Sequence, residues 1–597
     1  MVFGERWRTP GVRPSNSVGK LPRCCCSPDR SGARALYRLR ENPPVWPYTL
    51  PMSLLGPKPT PYEPVAWSKL PFGERGRQVC EAWALDGYGS PPAVYVVHIV
   101  KIALYILAWI GWCKFTPGLG SISHIREWWL SPIAFEKAIV WSMLFEGVGL
   151  GCGFGPLTGH YFPPFGGALY FLRPGTTKLA WNATWPVIGG VKRTWFDVAL
   201  YLAIVVCLVR ALVVAAPGFG EFVPIIILVP ILGLCDRTTL LAFRAEHFGT
   251  AIICFAFGGN WIAGAKCVQI ALWFWAGFSK LNHHFATVVC VMTSNGPFTR
   301  MGWFRKLMYR QYPSDLRPSR FASRLAHAGT ALELGTAVAF TVLHGPIGLV
   351  VGIVMALALH AFITSNVPMG VPLEWNVIAV YSVFALFWAH PGVTLLDVRP
   401  ELGAILVVLL VGVPLYGNFY PERVSFLLAM RYYAGNWPYS VWLFRGESYR
   451  KLDKLTKSSA WVYDQLDHFY DRATSIGLVG KVIAFRLMHL QGRALPALIS
   501  KAVDDLNEYE YLDGEIVAGM ALGWNFGDGH LHNEALLGAV QAQCGFEAGE
   551  LRCVFVEAQP LGKHTMQWRI CDAATGQLAA GQVEISAMRA RQPWHLE

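Results

Sequence analysis

The chain has 597 residues, 53% of them hydrophobic and only 15% charged, with a formal net charge of +12. This composition excludes an ordinary soluble globular protein and predicts a polytopic α-helical membrane protein, with room for about ten spans of roughly 20 residues plus one extramembrane domain. Nucleic-acid binding, the other reading of a basic chain, finds no RNA-type or DNA-type motif, and the positive charge beyond the leader lies mainly between apolar segments.

Residues 1–51 differ from the rest: nine Lys or Arg against three acids, the run Cys24-Cys25-Cys26, and no apolar stretch long enough for a signal-peptide core. They read as a disordered leader that supplies half of the net charge. Met52 then opens a more ordinary beginning, consistent with an over-extended start, and residues 52–92 read as a cytoplasmic or interfacial segment.

A transmembrane domain is predicted over 93–417, from ten apolar segments. They are Ala93–Cys113, Ile133–Phe154, Val198–Ala216, Phe222–Cys235, Phe248–Phe257, Trp261–Leu281, Gly329–Leu343, Ile347–Ile363, Val371–Ala389 and Leu402–Tyr416. Phe248–Phe257 is too short to cross alone, and Gly258-Gly259-Asn260 breaks the helix after it, so a broken or re-entrant element is expected. The stretch from Asn282 to His327 carries seven Lys or Arg against Asp315, which predicts a cytoplasmic loop. With Arg75 and Arg77 before the first span, ten crossings place both termini in the cytoplasm.

Residues 418–444, with the aromatic run Tyr432-Tyr433 to Trp437-Pro438-Tyr439, predict an interfacial belt and a membrane-surface helix. Residues 445–597 turn polar and predict a cytoplasmic α+β domain. Its helices are expected over Lys451–Ala473 and Val479–Leu506, and its strands over Glu515–Leu522, Arg552–Glu557, Thr565–Ile570 and Gln582–Ala587. Eight of the 14 cysteines fall between Cys80 and Cys290, mostly in apolar segments, and no CxxC pair exists, so buried thiols are expected rather than a disulfide framework.

Ionisable groups inside spans are costly and mark function or structure. Here they include Lys101, Glu136, Glu146, Arg210, Lys266, Lys280, Glu333 and His360. Lys280 ends an apolar segment, where a lysine can also snorkel to the interface; Glu146 with Arg210 reads equally as a structural ion pair. His283 and His284 are neighbours that point in different directions, one toward the headgroups and one toward the bundle.

The stretch Trp275-Ala276-Gly277-Phe278-Ser279-Lys280-Leu281 resembles the aromatic-Ala-Gly-x-x-Lys-Leu signature of the vitamin K-dependent gamma-carboxylase and its bacterial HTTM relatives. The resemblance implies that Lys280 is a base that deprotonates a reduced quinone so that oxygen can add. His360 to Asn366, followed by Pro372-Leu373-Glu374-Trp375-Asn376, is similar to the His-containing helix and aromatic turn of that superfamily; together the two stretches cover about thirty residues. The catalytic candidates are therefore Lys280, Glu333, His360 and His283, and the substrate-contacting candidates Glu146, Arg210, Trp275 and Glu374.

From Pro61 onward, through Trp67–Leu85, Phe115–Gly120 and Gly523–His530, the chain also resembles a family of bacterial multi-pass membrane proteins of unknown function. That likeness implies a bacterial inner-membrane location and supplies no reaction. Asp528, His530 and His532 are candidate metal ligands, set against a plain helix start at Asn533, and no metal is expected. Three functional classes follow: a membrane enzyme acting on a quinone-like or isoprenoid substrate, a transporter or lipid translocator, and a scaffold whose C-terminal domain binds a protein partner. Membrane lipids are the expected surroundings in all three.

Overall fold

A backbone in hydrocarbon must satisfy its own hydrogen bonds, so apolar stretches fold as helices whose ends are set by caps and prolines. In the computed structural model, residues 52–596 are described apart from 152–154, 156, 344 and 367–371; the expected leader at 1–51 lies outside the described residues. Ser53–Glu597 forms one compact unit. Its principal helices are α1 (Phe72–Asp86), α2 (Pro92–Cys113), α3 (Pro132–Gly147), α4 (Trp195–Val213), α5 (Phe219–Cys235), α6 (Thr250–Ala256), α7 (Trp261–Ser279) and α8 (Phe285–Asn295). After these come α9 (Arg320–Val342), α10 (Gly345–Thr364), α11 (Leu373–Ser382), α12 (Pro400–Phe419) and α13 (Arg472–Met488). Proline starts α2 and α3, a Thr194–Asp197 capping box starts α4, and Ser319 caps α9.

Five described helices are long and apolar enough to cross a membrane: α2, α4, α9, α10 and α12. A sixth arises if α13 and Gln491–Ala502, bent by 101°, count as one broken span. The expected count of about ten is thus not confirmed. Several apolar segments form shorter helices instead: 16 residues in α3 and 17 in α5. At 1.5 Å per residue, 16 residues reach about 24 Å of a hydrocarbon core about 30 Å thick. Nearly every residue of α3 from Ala134 to Gly147 is buried, so it is a core helix of the bundle. By contrast α2 and α10 expose Ile99, Leu104, Ile347 and Val354, an outward apolar surface of the kind that meets lipid.

The basic stretch 282–327 is no open loop. It folds into the buried α8, a short helix Gly302–Leu307, and an antiparallel pair, β1 (Tyr309–Gln311) with β2 (Asp315–Pro318). Helix α1 lies against α8, where the Trp83 indole donates to the Val291 carbonyl at 3.3 Å.

The C-terminal region holds a five-stranded antiparallel sheet in the order β4-β3-β5-β6-β7. Its strands are β3 (Tyr439–Arg445), β4 (Tyr509–Asp513), β5 (Leu551–Val556), β6 (Thr565–Asp572) and β7 (Gly576–Glu584). Three readings change. The segment expected to lie on the membrane as a helix contains β3, an inner strand pairing Trp442 with Leu512 and Cys553 and buried from Tyr439 to Phe444. The strand expected at Glu515–Leu522 is a helix, Gly514–Leu522, started by the Asp513 side chain on the Glu515 N–H and ended at Gly523 with φ +88°. Gln582–Ala587 straddles the end of β7 and the helix Ile585–Ala590. Short apolar runs do not separate strand from buried helix by periodicity. The ten described cysteines are free.

Candidate functional site

Helices α7 and α9 meet closely at Gly277, where a Cβ would stand 2.8 Å from Leu334 Cγ and 3.1 Å from the Leu334 backbone nitrogen. This approach, which the glycine alone permits, carries Lys280 at the C-terminal cap of α7 onto Glu333 of α9. The two form an ion pair whose side chains are 6% and 5% exposed. A snorkelling lysine holds its ammonium in water; this one holds it against a buried carboxylate.

Beside the pair lies an apolar cavity of about 110 Å³. Leu272, Val288, Val289, Met292, Leu359 and Ile363 give it apolar walls, and Lys280 and Glu333 are the only lysine, arginine or acidic residues among its described lining.

Its neutral polar groups are fixed. His360 Nε2 accepts from the Trp273 indole at 3.0 Å, and the Asn376 amide, anchored by its own N–H to the Pro372 carbonyl, presents Oδ1 to His360 Nδ1 at 2.8 Å. An indole only donates, so His360 is the neutral tautomer with its proton on Nδ1. Both its nitrogens are committed, which leaves it a wall and positioning group rather than a free base. Trp375 in turn donates its indole N–H to His247 Nδ1, making Nε2 the protonated nitrogen of His247 in its neutral form. Gln269 lines the cavity with a buried carbonyl oxygen that has no partner among the described residues.

His247, Trp273 and Gln269 escaped the sequence reading. The signal for the first was present in Arg244-Ala245-Glu246-His247, a polar cluster ahead of an apolar run. It folds as a π-helical turn, Ala245–Gly249, entered through Arg244 at φ +52°. Such turns and left-handed non-glycine residues gather at functional sites. Tyr433, also left-handed at φ +51°, lines the same cavity. Arg244 pairs with Glu246 at 2.8 Å under the Trp375 ring, and Tyr432 donates to Glu246 at 2.9 Å, so a second buried charged cluster braces this wall.

The other candidates fall elsewhere. Trp275 points its indole to the Leu410 carbonyl at 2.6 Å, away from the cavity that Trp273 lines. Glu374 is ion-paired with Lys101 and lies outside the described lining, although its neighbours Trp375 and Asn376 belong to it. Arg210 pairs with Glu221 at 3.0 Å and not with Glu146, which is buried at the end of α3. The expected Glu146–Arg210 pair is therefore replaced. Lys266 donates to the carbonyls of His390 and Val393 at 2.8 and 2.6 Å. His283 is exposed, whereas His284 is buried between Gln491 and Gln559, the divergence expected of adjacent residues.

Asp528, His530 and His532 do not converge. His530 faces Glu557 at 3.3 Å, while His532 turns to the Ser440 hydroxyl at 2.7 Å. Among the described residues no group of three or more His, Cys, Asp or Glu is placed to hold a metal ion. Burial alone would strip His530 of its proton, but the neighbouring Glu557 and Asp528 carboxylates prevail and hold it above the usual histidine value. Burial likewise opposes ionisation of Glu557, and His530 with Arg569 overcomes this, drawing it down to about 2.

No curated protein and no solved structure matches the chain. The comparisons do not show the likeness to the carboxylase superfamily. A family pattern described as "transmembrane protein of unknown function (DUF3556)" matches residues 52–597, and the chain belongs to that family.

Proposed function

We propose that this transmembrane protein is a membrane-embedded enzyme that takes a lipid-soluble substrate into the apolar cavity and moves a proton at the Lys280–Glu333 pair. One observation carries the reading: an apolar cavity with its charge concentrated in one ion pair. Apolar walls suit an isoprenoid or acyl body, while Gln269 and His247 offer an acceptor and a donor to a hydroxyl or carbonyl end.

The roles divide within the pair. A Glu333 carboxylate oxygen accepts the proton of a substrate O–H, the O–H bond breaks, and the Lys280 ammonium stays beside the new oxyanion. A quinol-type hydroxyl fits this arrangement by its acidity and its apolar ring. A bacterial inner membrane is the setting we infer, with the basic stretch 282–327 and the C-terminal sheet region on the cytoplasmic side. The Leu316 N–H to Gln592 contact of 2.9 Å, which ties these two regions together, supports a shared side.

The test is mass spectrometry of lipids retained by the purified full-length protein. A prenylated or acyl lipid is expected with the wild type, reduced several-fold by Ala276→Phe, which fills the cavity wall, and retained but unconverted in Lys280→Met. Absence of any bound lipid, or retention indifferent to Ala276→Phe, would overturn the reading.

A further inference from the structure

A second pocket shares Lys280 and Phe285 with the apolar cavity, and its chemistry is the opposite. It has a volume of about 300 Å³ and carries five cationic side chains, Lys280, Arg310, Arg317, Arg493 and Arg589, with no carboxylate in its described lining. Two of the five are paired: Lys280 with Glu333, and Arg317 with Asp315 at 2.6 Å. Arg310, Arg493 and Arg589 have no carboxylate partner among the described residues.

Arg493 is the telling member. It sits in the turn between α13 and Leu495–Ala502 and is 1% exposed. One guanidinium nitrogen donates to the Arg591 carbonyl at 3.0 Å and to the Met588 carbonyl at 3.5 Å, and its Nε has no partner among the described residues. Its opposite charge is the Asp315 carboxylate, which is already paired with Arg317, and a fully buried arginine without an ion-pair partner of its own is rare. Arginine also offers the planar fork that matches phosphate or carboxylate oxygens. The partition between the chambers is narrow in composition: the Lys280 ammonium lies 5.3 Å from the centre of the Phe285 ring, and these two residues belong to both walls.

We propose that the basic pocket binds the phosphate-type anionic head of the same lipid whose apolar tail fills the cavity, with the lipid passing Lys280 and Phe285. This assignment rests on the lipid-substrate reading for the tail and adds the class of the head. It makes the substrate an anionic amphiphile whose reacting hydroxyl lies at the tail–head junction, beside Lys280–Glu333, with the anionic group beyond it in the basic pocket.

The experiment uses the full-length protein in phosphatidylcholine nanodiscs, with binding followed by tryptophan fluorescence. Three probes are compared: farnesyl phosphate, farnesol and inorganic phosphate. Farnesyl phosphate is expected to bind about tenfold or more tighter than farnesol, the scale of a charge-assisted hydrogen bond. Arg493→Gln should remove most of that margin while leaving farnesol binding unchanged. Because Arg493 is buried, Arg310→Gln/Arg589→Gln on the exposed rim serves as the second variant and should reduce the margin several-fold. Equal binding of farnesol and farnesyl phosphate, unaffected by either variant, overturns the head-group assignment and leaves the cavity reading standing. Inorganic phosphate binding as tightly as farnesyl phosphate also overturns it, in favour of a free-anion site. Failure of both farnesyl compounds to bind sinks the lipid reading and the head assignment with it.

Discussion

Among the described residues two lysine–carboxylate pairs are buried on both sides, and they differ in what surrounds them. Lys178 meets both oxygens of Asp197 at 2.7 and 2.8 Å and donates also to the Ile188 carbonyl at 3.2 Å. Asp197 in turn accepts from the Thr194 backbone and hydroxyl as the capping box of α4. Every strong valence is used, and the side chains are 0% and 2% exposed. Lys280 and Glu333 have the same chemistry but border an apolar cavity, and Lys280 also a basic pocket. A buried ion pair by itself is weak grounds for function; open space beside it is what separates a group that can react from one that only holds helices.

The largest expected effect tests that contrast on stability. Asp197→Ala strands Lys178 in packed protein and removes a cap, so a loss of about 3–5 kcal/mol is expected. Glu333→Gln should cost less than half as much, because Lys280 also borders the polar basic pocket, which can admit water. Thermal unfolding of both variants in one nanodisc preparation measures the difference, and equal losses would erase the distinction between the pairs.

Gly277 probes the geometry that assembles the reactive pair. Gly277→Val forces α9 away from α7 at Leu334, with an expected cost of about 1–3 kcal/mol. Lipid retention should fall with it, since Glu333 neighbours Leu334. Wild-type retention and unfolding temperature in this variant would show that the close crossing does not set the site.

The smallest effect concerns the His530–Glu557 pair, which borders neither pocket. Glu557 is drawn from an ordinary 4.5 down to about 2, so its contribution is complete above 4.5 and fades as pH falls toward 2. His530 is held above its ordinary 6.5, so its contribution is complete below 6.5 and fades as pH rises through its folded value. The pair therefore stabilises most between about pH 4.5 and 6.5. The difference in unfolding temperature between wild type and Glu557→Gln should peak in that window; a difference that keeps growing above pH 8 would contradict the assignment.

Much of the protein was legible one residue at a time. Apolar runs announced a helical membrane protein, alternation placed β5 and most of β6, and an ionisable group at the end of an apolar run singled out Lys280. These are local signals, carried by the period and composition of a dozen residues. The span count was not legible, because an apolar helix reads alike whether lipid or other helices surround it, and α3 is enclosed by protein. Nor was β3, whose aromatic residues suit an interface as well as the buried inner strand they form.

The site divides in the same way. Sequence by itself determined that Lys280, Glu333 and His360 lie in apolar surroundings and must be explained. Only the tertiary structure decided that Lys280 meets Glu333, 53 residues along the chain, that Trp273 and Asn376 hold His360 neutral, and that three arginines without carboxylate partners collect on the far side of Phe285. The physical reason is that burial and pairing depend on where helices cross, and the crossing at Gly277 is fixed by steric approach between segments that share no local pattern.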